Sequence, residues 1–234
     1  MNKPPEKLTK GDIIHTVVKA AASAIPVAGG PAAVLFEEIF RKPLEKRRNK
    51  WLEILADAIE ELKSRVEDLE NEDLSENEPF ISAVMQASQI ALRTNQDEKL
   101  RALRNAIQNA TLPKAPNEDL QHIFLRFIDE LTSWHFRLLD LFDSPEKWGN
   151  QNKIHFPDWS MGGGSTVLEF AFPDLRGNRD FYDKLITDLQ VRGLLSQGGF
   201  LHTTMTGGGM MASRTTSMGK QFLRYIREPW PLPS

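Results

Sequence analysis

The chain has 234 residues, and its 29 Lys and Arg against 32 Asp and Glu give a net charge of -3, which excludes whole-surface attraction to nucleic acid or anionic lipid and leaves such attraction to local patches. With 40% hydrophobic and 26% charged residues, the chain has the composition of a folded protein and the length for one large or two modest domains. It has no cysteine, so a disulfide framework, a thiolate nucleophile and a cysteine zinc site are excluded.

The start, MNKPPEKLTKGD, is polar, and a mostly apolar run follows from Ile13 to Phe40 with no convincing signal-peptidase site. We expect a chain made in the cytosol that can associate with the inner membrane. Inside the run, AAASAIPVAGGPAAVLF (20–36) has no charge, and Pro26 and Pro31 bracket Gly29 and Gly30. This punctuation predicts two short helices, about 13–25 and 31–40, joined by a tight turn. Neither supplies the about 20 apolar residues of a stable membrane span. Straightened, the segment would reach roughly 42 Å at about 1.5 Å per residue. It reads either as a helical hairpin in a bundle core or as a concealed membrane-active element containing Ile25, Pro26, Gly29, Gly30, Pro31, Leu35 and Phe36.

RKPLEKRRNK (41–50) holds Arg41, Lys42, Lys46, Arg47, Arg48 and Lys50 against one Glu, a local charge of +5. A basic collar after an apolar segment is where positive charge meets anionic lipid. The sign then reverses, with eleven Asp or Glu against two Lys or Arg over 51–80, a charge of -9. Leu52, Leu55, Ile59, Leu62, Val66 and Leu69 recur three and four apart, the seam of a helix that packs in a bundle or between subunits. Collar and acidic helix also suit each other as contacts between neighbouring subunits.

NEDLSENEP (71–79) is a polar break before two amphipathic helices at about 80–93 and 96–110. TLPKAPNED (111–119), with two prolines and Asn117 as an N-cap, is the expected domain boundary. Helices near 118–131 and 134–142 lead into a loop-rich stretch, DSPEKWGNQNKIHFPDWSMGGGS, and a short helix, STVLEFAF. RGNRDFYDKLITDLQVRGLLS predicts a helix of about fifteen residues stopped by Gly193 in the left-handed conformation. GGFLHTTMTGGGMMASRTTSMG then predicts a two-stranded ribbon with a flexible tip. A last helix, about 217–228, is capped by Thr216 or Ser217. This order of helices and ribbon is that of a winged helix.

Four stretches carry a family resemblance: the apolar N-terminal pair, ISAVMQASQIALRTNQDEKLRALRNAIQNA, NEDLQHIFLRFIDELTSWHFRLLDLFDSP and FLHTTMTGGGMMASRTTSMGKQFL. Together, in helix order and short apolar phrases over most of the chain, they resemble the abortive-infection alpha family of bacteria. The resemblance implies anti-phage defence by a membrane-acting effector held inactive until infection. It carries over no catalytic residue.

In the helix around 179–191, Arg176, Arg179, Lys184 and Arg192 are matched by Asp174, Asp180, Asp183 and Asp188, unlike the uncompensated cations of a duplex reader. The stretch 201–234 is more basic, with Arg214, Lys220, Arg224 and Arg227 against Glu228. With Thr203 and Thr204 these are the candidate contacts for single-stranded nucleic acid or a nucleotide, the alternative being a wing for protein contact. SMGGGS (160–165) lacks the lysine of a Walker A loop, no GxSxG occurs, and the histidines at 15, 122, 135, 155 and 202 show no metal-ligand spacing. We therefore expect no catalytic residue, metal or cofactor. His122 and His135 are expected half-buried on their helices, and the five tryptophans as core or interdomain anchors, with a lipid interface the alternative for Trp51.

The expected fold is mainly α: a hairpin at 1–40, a helical bundle or oligomerisation region at 41–112, and a winged-helix-like sensor with a small β-ribbon at 113–234. The expected function is a non-enzymatic, homo-oligomeric defence effector that perturbs the inner membrane or forms a channel in it. Its C-terminal domain would bind a ligand, or a partner encoded nearby. The alternative is a soluble winged-helix DNA-binding or adaptor protein that dimerises through its acidic helix.

Overall fold

Ten α-helices, one short 3-10 helix (Pro173–Leu175) and one two-residue strand pair make up the regular structure of the described residues, so the fold is mainly helical. The computed structural model describes residues 31–65, 74, 76–112 and 115–229. The chain divides into two compact units, one running to Glu130 and taking in Tyr225 onward, the other spanning Leu131–Arg224.

The first unit begins with α1 (Pro31–Arg65), one uninterrupted helix of 35 residues. Sequence reasoning ends the second hairpin helix near 40 and starts the bundle region at 41. Instead Pro43 lies inside the helix, carried by flanking runs of Ala, Leu, Glu, Lys and Arg with high helix propensity. Trp51, Leu55, Ala58 and Leu62 form its buried stripe. Next comes α2 (Glu78–Arg93), whose start is fixed by Asn77 Oδ1 accepting the Phe80 N–H at 3.0 Å. It buries Phe80, Ala83, Val84, Ala87, Ile90 and Ala91. α3 (Asp97–Ala110) buries Leu100, Leu103, Ala106 and Ile107.

Asn117 caps α4 (Glu118–Glu130) as expected, its Oδ1 accepting the Leu120 N–H at 2.9 Å. α1, α2 and α3 pack on one another, and α4 packs on α2 and α3. The first unit thus extends past the 111–119 break. Asn109 Nδ2 donates to the Tyr225 carbonyl at 3.0 Å and Asn105 Nδ2 to that of Ile226 at 2.9 Å, and the Tyr225 ring lies 5.6 Å from that of Phe124. Residues 1–30, which hold the first helix of the expected hairpin and its turn, lie outside the described residues.

The second unit starts with α5 (Ser133–Asp143) and α6 (Pro145–Asn152). α6 falls in a stretch expected to be loop; Pro145 fits a helical first turn, and Lys153 ends the helix in the left-handed region at φ 57°. β1 (Met161–Gly162), α7 (Gly164–Ala171) and α8 (Arg179–Val191) follow. α8 stops, as expected, at Gly193 with φ +71°. The expected ribbon is corrected: β2 (Met205–Thr206) pairs antiparallel with β1, far upstream, instead of with a strand beyond the glycine tip. The tip is itself a helical turn, α9 (Gly207–Met210), capped by Thr206 Oγ1 on the Gly209 N–H at 3.3 Å. Gly207 is required there because a Cβ would overlap the Trp159 carbonyl oxygen. One bridge, Leu195 to Thr215, closes the excursion between them. Thr216 Oγ1 then accepts the Gly219 N–H at 2.9 Å and starts α10 (Ser217–Ile226).

Candidate functional site

Among the described residues, α1 carries the most concentrated charge. Arg41, Lys42, Lys46 and Lys50 are exposed, Arg47 and Arg48 are half-buried, and Ile39 beside them is 62% exposed. Arg41 Nε pairs with Glu45 at 3.0 Å one turn on, while Lys50 Nζ reaches Asp97 of α3 at 2.6 Å. The Lys50 hydrogen bond and charge hold the Asp97 carboxyl below its usual range. Arg48 Nε is shielded from solvent without a hydrogen-bond partner. From Trp51 on, the helix is packed. The collar is therefore an exposed helical rod directly in front of an anchor, able to meet a surface of opposite charge.

Of the expected membrane-active group, Ile25, Pro26, Gly29 and Gly30 lie outside the described residues, and Pro31, Leu35 and Phe36 fall in the first two turns of α1. Among the described residues, no helix is long and apolar enough to cross a membrane. Along the expected seam, Leu55 and Leu62 are buried within the first unit, Leu52 and Ile59 are half-buried, and Val66 and Leu69 lie outside the described residues. Trp51 is 1% exposed, with its indole nitrogen 2.9 Å from Ser88 Oγ, which corrects the lipid-interface alternative.

A cleft of about 460 Å³ beside the anchor is lined by Ile54, Asp97, Glu98, Leu100, Arg101 and Arg104. Arg104 is committed to Glu61, whose Oε2 also accepts from Gln108 Nε2 at 3.2 Å. Nearby Lys99 is buried and donates to the Asp129 carbonyl at 2.7 Å; burial pushes its ammonium below the usual value against the pull of Asp129. Arg104, Glu61 and Lys99 are thus partnered within the unit itself.

In the second unit, Thr203 Oγ1 donates to the Gly199 carbonyl at 2.9 Å, while Thr204, Lys220 and Arg224 are exposed. Arg214 is an internal tie. Its Nη2 donates to the Gly209 carbonyl at 2.5 Å and to Met205 Sδ at 3.0 Å, and its guanidinium lies 5.3 Å from the Phe200 ring centre. Arg227 belongs to the first unit, where its carbonyl accepts from Asn109. The candidate nucleic-acid contacts are therefore divided between the units. On α8, Lys184 pairs with Asp188 at 2.6 Å and Arg179 with Asp183 at 3.4 Å, so its cations are spent locally. The amides that open α7 are also taken, Gly164 N–H by the Phe200 carbonyl at 3.0 Å and Ser165 N–H by that of Leu201 at 2.8 Å, so SMGGGS presents no phosphate cradle.

Sequence reasoning does not single out three polar pairings of this unit. The Tyr182 hydroxyl donates to Glu169 at 2.8 Å, and burial first, then this bond, raises the phenol to about 12. His202 Nε2 lies 2.7 Å from Asp183 Oδ1. His135, 5% exposed, closes a capping box in which its Nδ1 accepts the Thr132 N–H at 3.0 Å, and its Nε2 stands 3.6 Å from Asp188. The spacing Thr132-x-x-His135 is its sequence signal, with histidine where a capping box has Glu or Gln. His122, by contrast, is exposed, with Nδ1 2.8 Å from Gln86 Oε1.

No protein-family model, curated protein or solved structure matches the chain. The site thus rests on its own geometry. Among the described residues, no group of three or more His, Cys, Asp or Glu is placed to hold a metal ion.

Proposed function

We propose that this chain is a non-enzymatic, self-associating effector of anti-phage defence that acts at the inner membrane, as its resemblance to the abortive-infection alpha family implies. The observation that carries the reading is α1. Its exposed basic residues run on from the last part of the apolar segment, 31–40, into a packed bundle without a helix break, so a cationic rod stands where anionic headgroups are met. Each Lys or Arg near such a surface contributes about 1 kcal/mol, so the collar alone gives salt-sensitive docking, and the apolar segment supplies the membrane disturbance. Flotation with anionic liposomes that enclose a self-quenched dye tests this. Full-length protein should float and release dye. A variant lacking residues 1–40 should release none, and one with Arg41, Lys42, Lys46 and Arg47 changed to Gln should float poorly. Full-length protein that stays at the bottom with the dye quenched removes the reading.

A second reading is a soluble winged-helix-like regulator or adaptor. The order α5, β1, α7, α8 and then an excursion closed by the Leu195–Thr215 bridge supports it. Arg214 is tied inward and α8 is charge-paired, which favours a protein or small ligand over duplex DNA on this face. Salt-dependent duplex binding without lipid binding would put this reading first.

A further inference from the structure

The exposed face of α1 carries a charge pattern complementary to itself. At about 100° per residue, the buried stripe Trp51, Leu55, Ala58 and Leu62 marks one side of the helix. Lys42, Lys46, Asn49, Glu53, Asp57 and Glu60 recur three and four residues apart on the opposite side, and all are exposed. The sign changes once along this face, with lysines before Asn49 and acids after it. Lys42, Lys46, Glu53 and Asp57 form no ion pair with another described residue.

We propose that this face binds a second copy of the chain, the two helices lying antiparallel about a twofold axis at Asn49 and Lys50. Lys46 and Glu53 stand equally far on either side of the midpoint between 49 and 50, and so do Lys42 and Asp57. Both helices rise equally per residue, so an antiparallel pair sets Lys46 against the second copy's Glu53 and Lys42 against its Asp57 in a single register. The twofold axis repeats each pair, making four ion pairs in an isologous contact. A parallel pair would set lysine against lysine and acid against acid, so the pattern also selects direction.

The contact gives the self-association of the proposed function a surface, and in that respect it rests on that reading. It also shields each collar with the acidic half of the other copy, so that anionic lipid and the second copy compete for the same lysines. Exposed ion pairs are individually weak and screened by salt, so the dimer is sensitive to ionic strength.

Sedimentation velocity of the full chain without lipid tests this. The wild type should sediment as a dimer at low ionic strength and as a monomer at high. Lys42→Glu with Lys46→Glu makes all four paired positions acidic, and Glu53→Lys with Asp57→Lys makes all four basic; each double variant should be monomeric with an unchanged helical circular dichroism. Mixed in equal amounts, the two should recover a particle of twice the mass, since all four contacts are again opposite in sign. A variant that had failed to fold would give no such recovery. A wild type monomeric at low salt, double variants that associate like the wild type, or a mixture that stays monomeric would each overturn the proposal. The assay contains no lipid, so its failure leaves the liposome result standing, and the reverse holds equally.

Discussion

The indole nitrogen of Trp51 donates to Ser88 Oγ at 2.9 Å, and the Ser88 hydroxyl donates onward to the Val84 carbonyl at 2.7 Å. Both side chains are buried, so the point where α1 passes from exposed rod to packed helix is held by a satisfied polar relay as well as by apolar contact. Ser88→Ala leaves a buried N–H unmatched and should destabilise the fold by about 1–3 kcal/mol. Trp51→Ala should cost about 3–5 kcal/mol through the void it leaves. Chemical denaturation followed by far-ultraviolet circular dichroism measures both; an unchanged Ser88→Ala midpoint would mean that the indole finds another acceptor.

Asn117, Gly193 and Thr216 are legible in the sequence because a cap or a left-handed stop is decided within four residues. The collar is equally legible, since six cations among ten residues form a pattern at any fold. The continuity of α1 is not legible, because Pro43 carries the local signal of a break and only the flanking helix formers outweigh it. The pairing of β2 with β1 joins segments separated by two helices, and the inward tie of Arg214 depends on the fold of the glycine tip, so no periodicity reports either partner. Tyr182 and Glu169, on two different helices, are hidden for the same reason.

Gly219 sits under the Leu194 backbone, and a Cβ there would overlap the Leu194 carbonyl oxygen. Backbone cannot swing aside as a side-chain end can, so Gly219→Ala should cost about 1–3 kcal/mol and disturb the Thr216 cap. Gly208→Ala is the control. Its Cβ would meet nothing within 4 Å, and the change should stay within about 0.5 kcal/mol. Thermal unfolding of the two variants side by side checks the contrast.

Both tyrosines of the chain should stay protonated well above the usual phenol range. Burial and then the Glu169 bond raise Tyr182 to about 12, and burial alone pushes Tyr225, whose hydroxyl has no hydrogen-bond partner, higher still. Because the folded values are raised, the stability they contribute is complete below about pH 10 and is lost as pH rises through about 12. Phenolate absorbance should therefore be missing from the native protein near pH 10, and Glu169→Gln should bring Tyr182 down. Two tyrosines titrating near 10 in the folded chain would contradict the buried placement.

His135 accepts the Thr132 N–H on Nδ1, so its neutral ring carries the proton on Nε2, facing Asp188. Burial pushes its pKa below 6.5; the Asp188 carboxylate opposes this, while Arg192 and Lys184 add to the lowering. A lowered folded value means stability present above pH 6.5 and lost as pH falls through the folded pKa. An NMR titration should find the His135 midpoint under 6.5, and Asp188→Asn should lower it further by removing the opposing charge. Glutamine is a natural third residue of a capping box, so His135→Gln should keep the fold near neutral pH and abolish this part of the acid-side loss. A His135→Gln protein that loses stability below pH 6.5 as steeply as the wild type would place the proton uptake on another group.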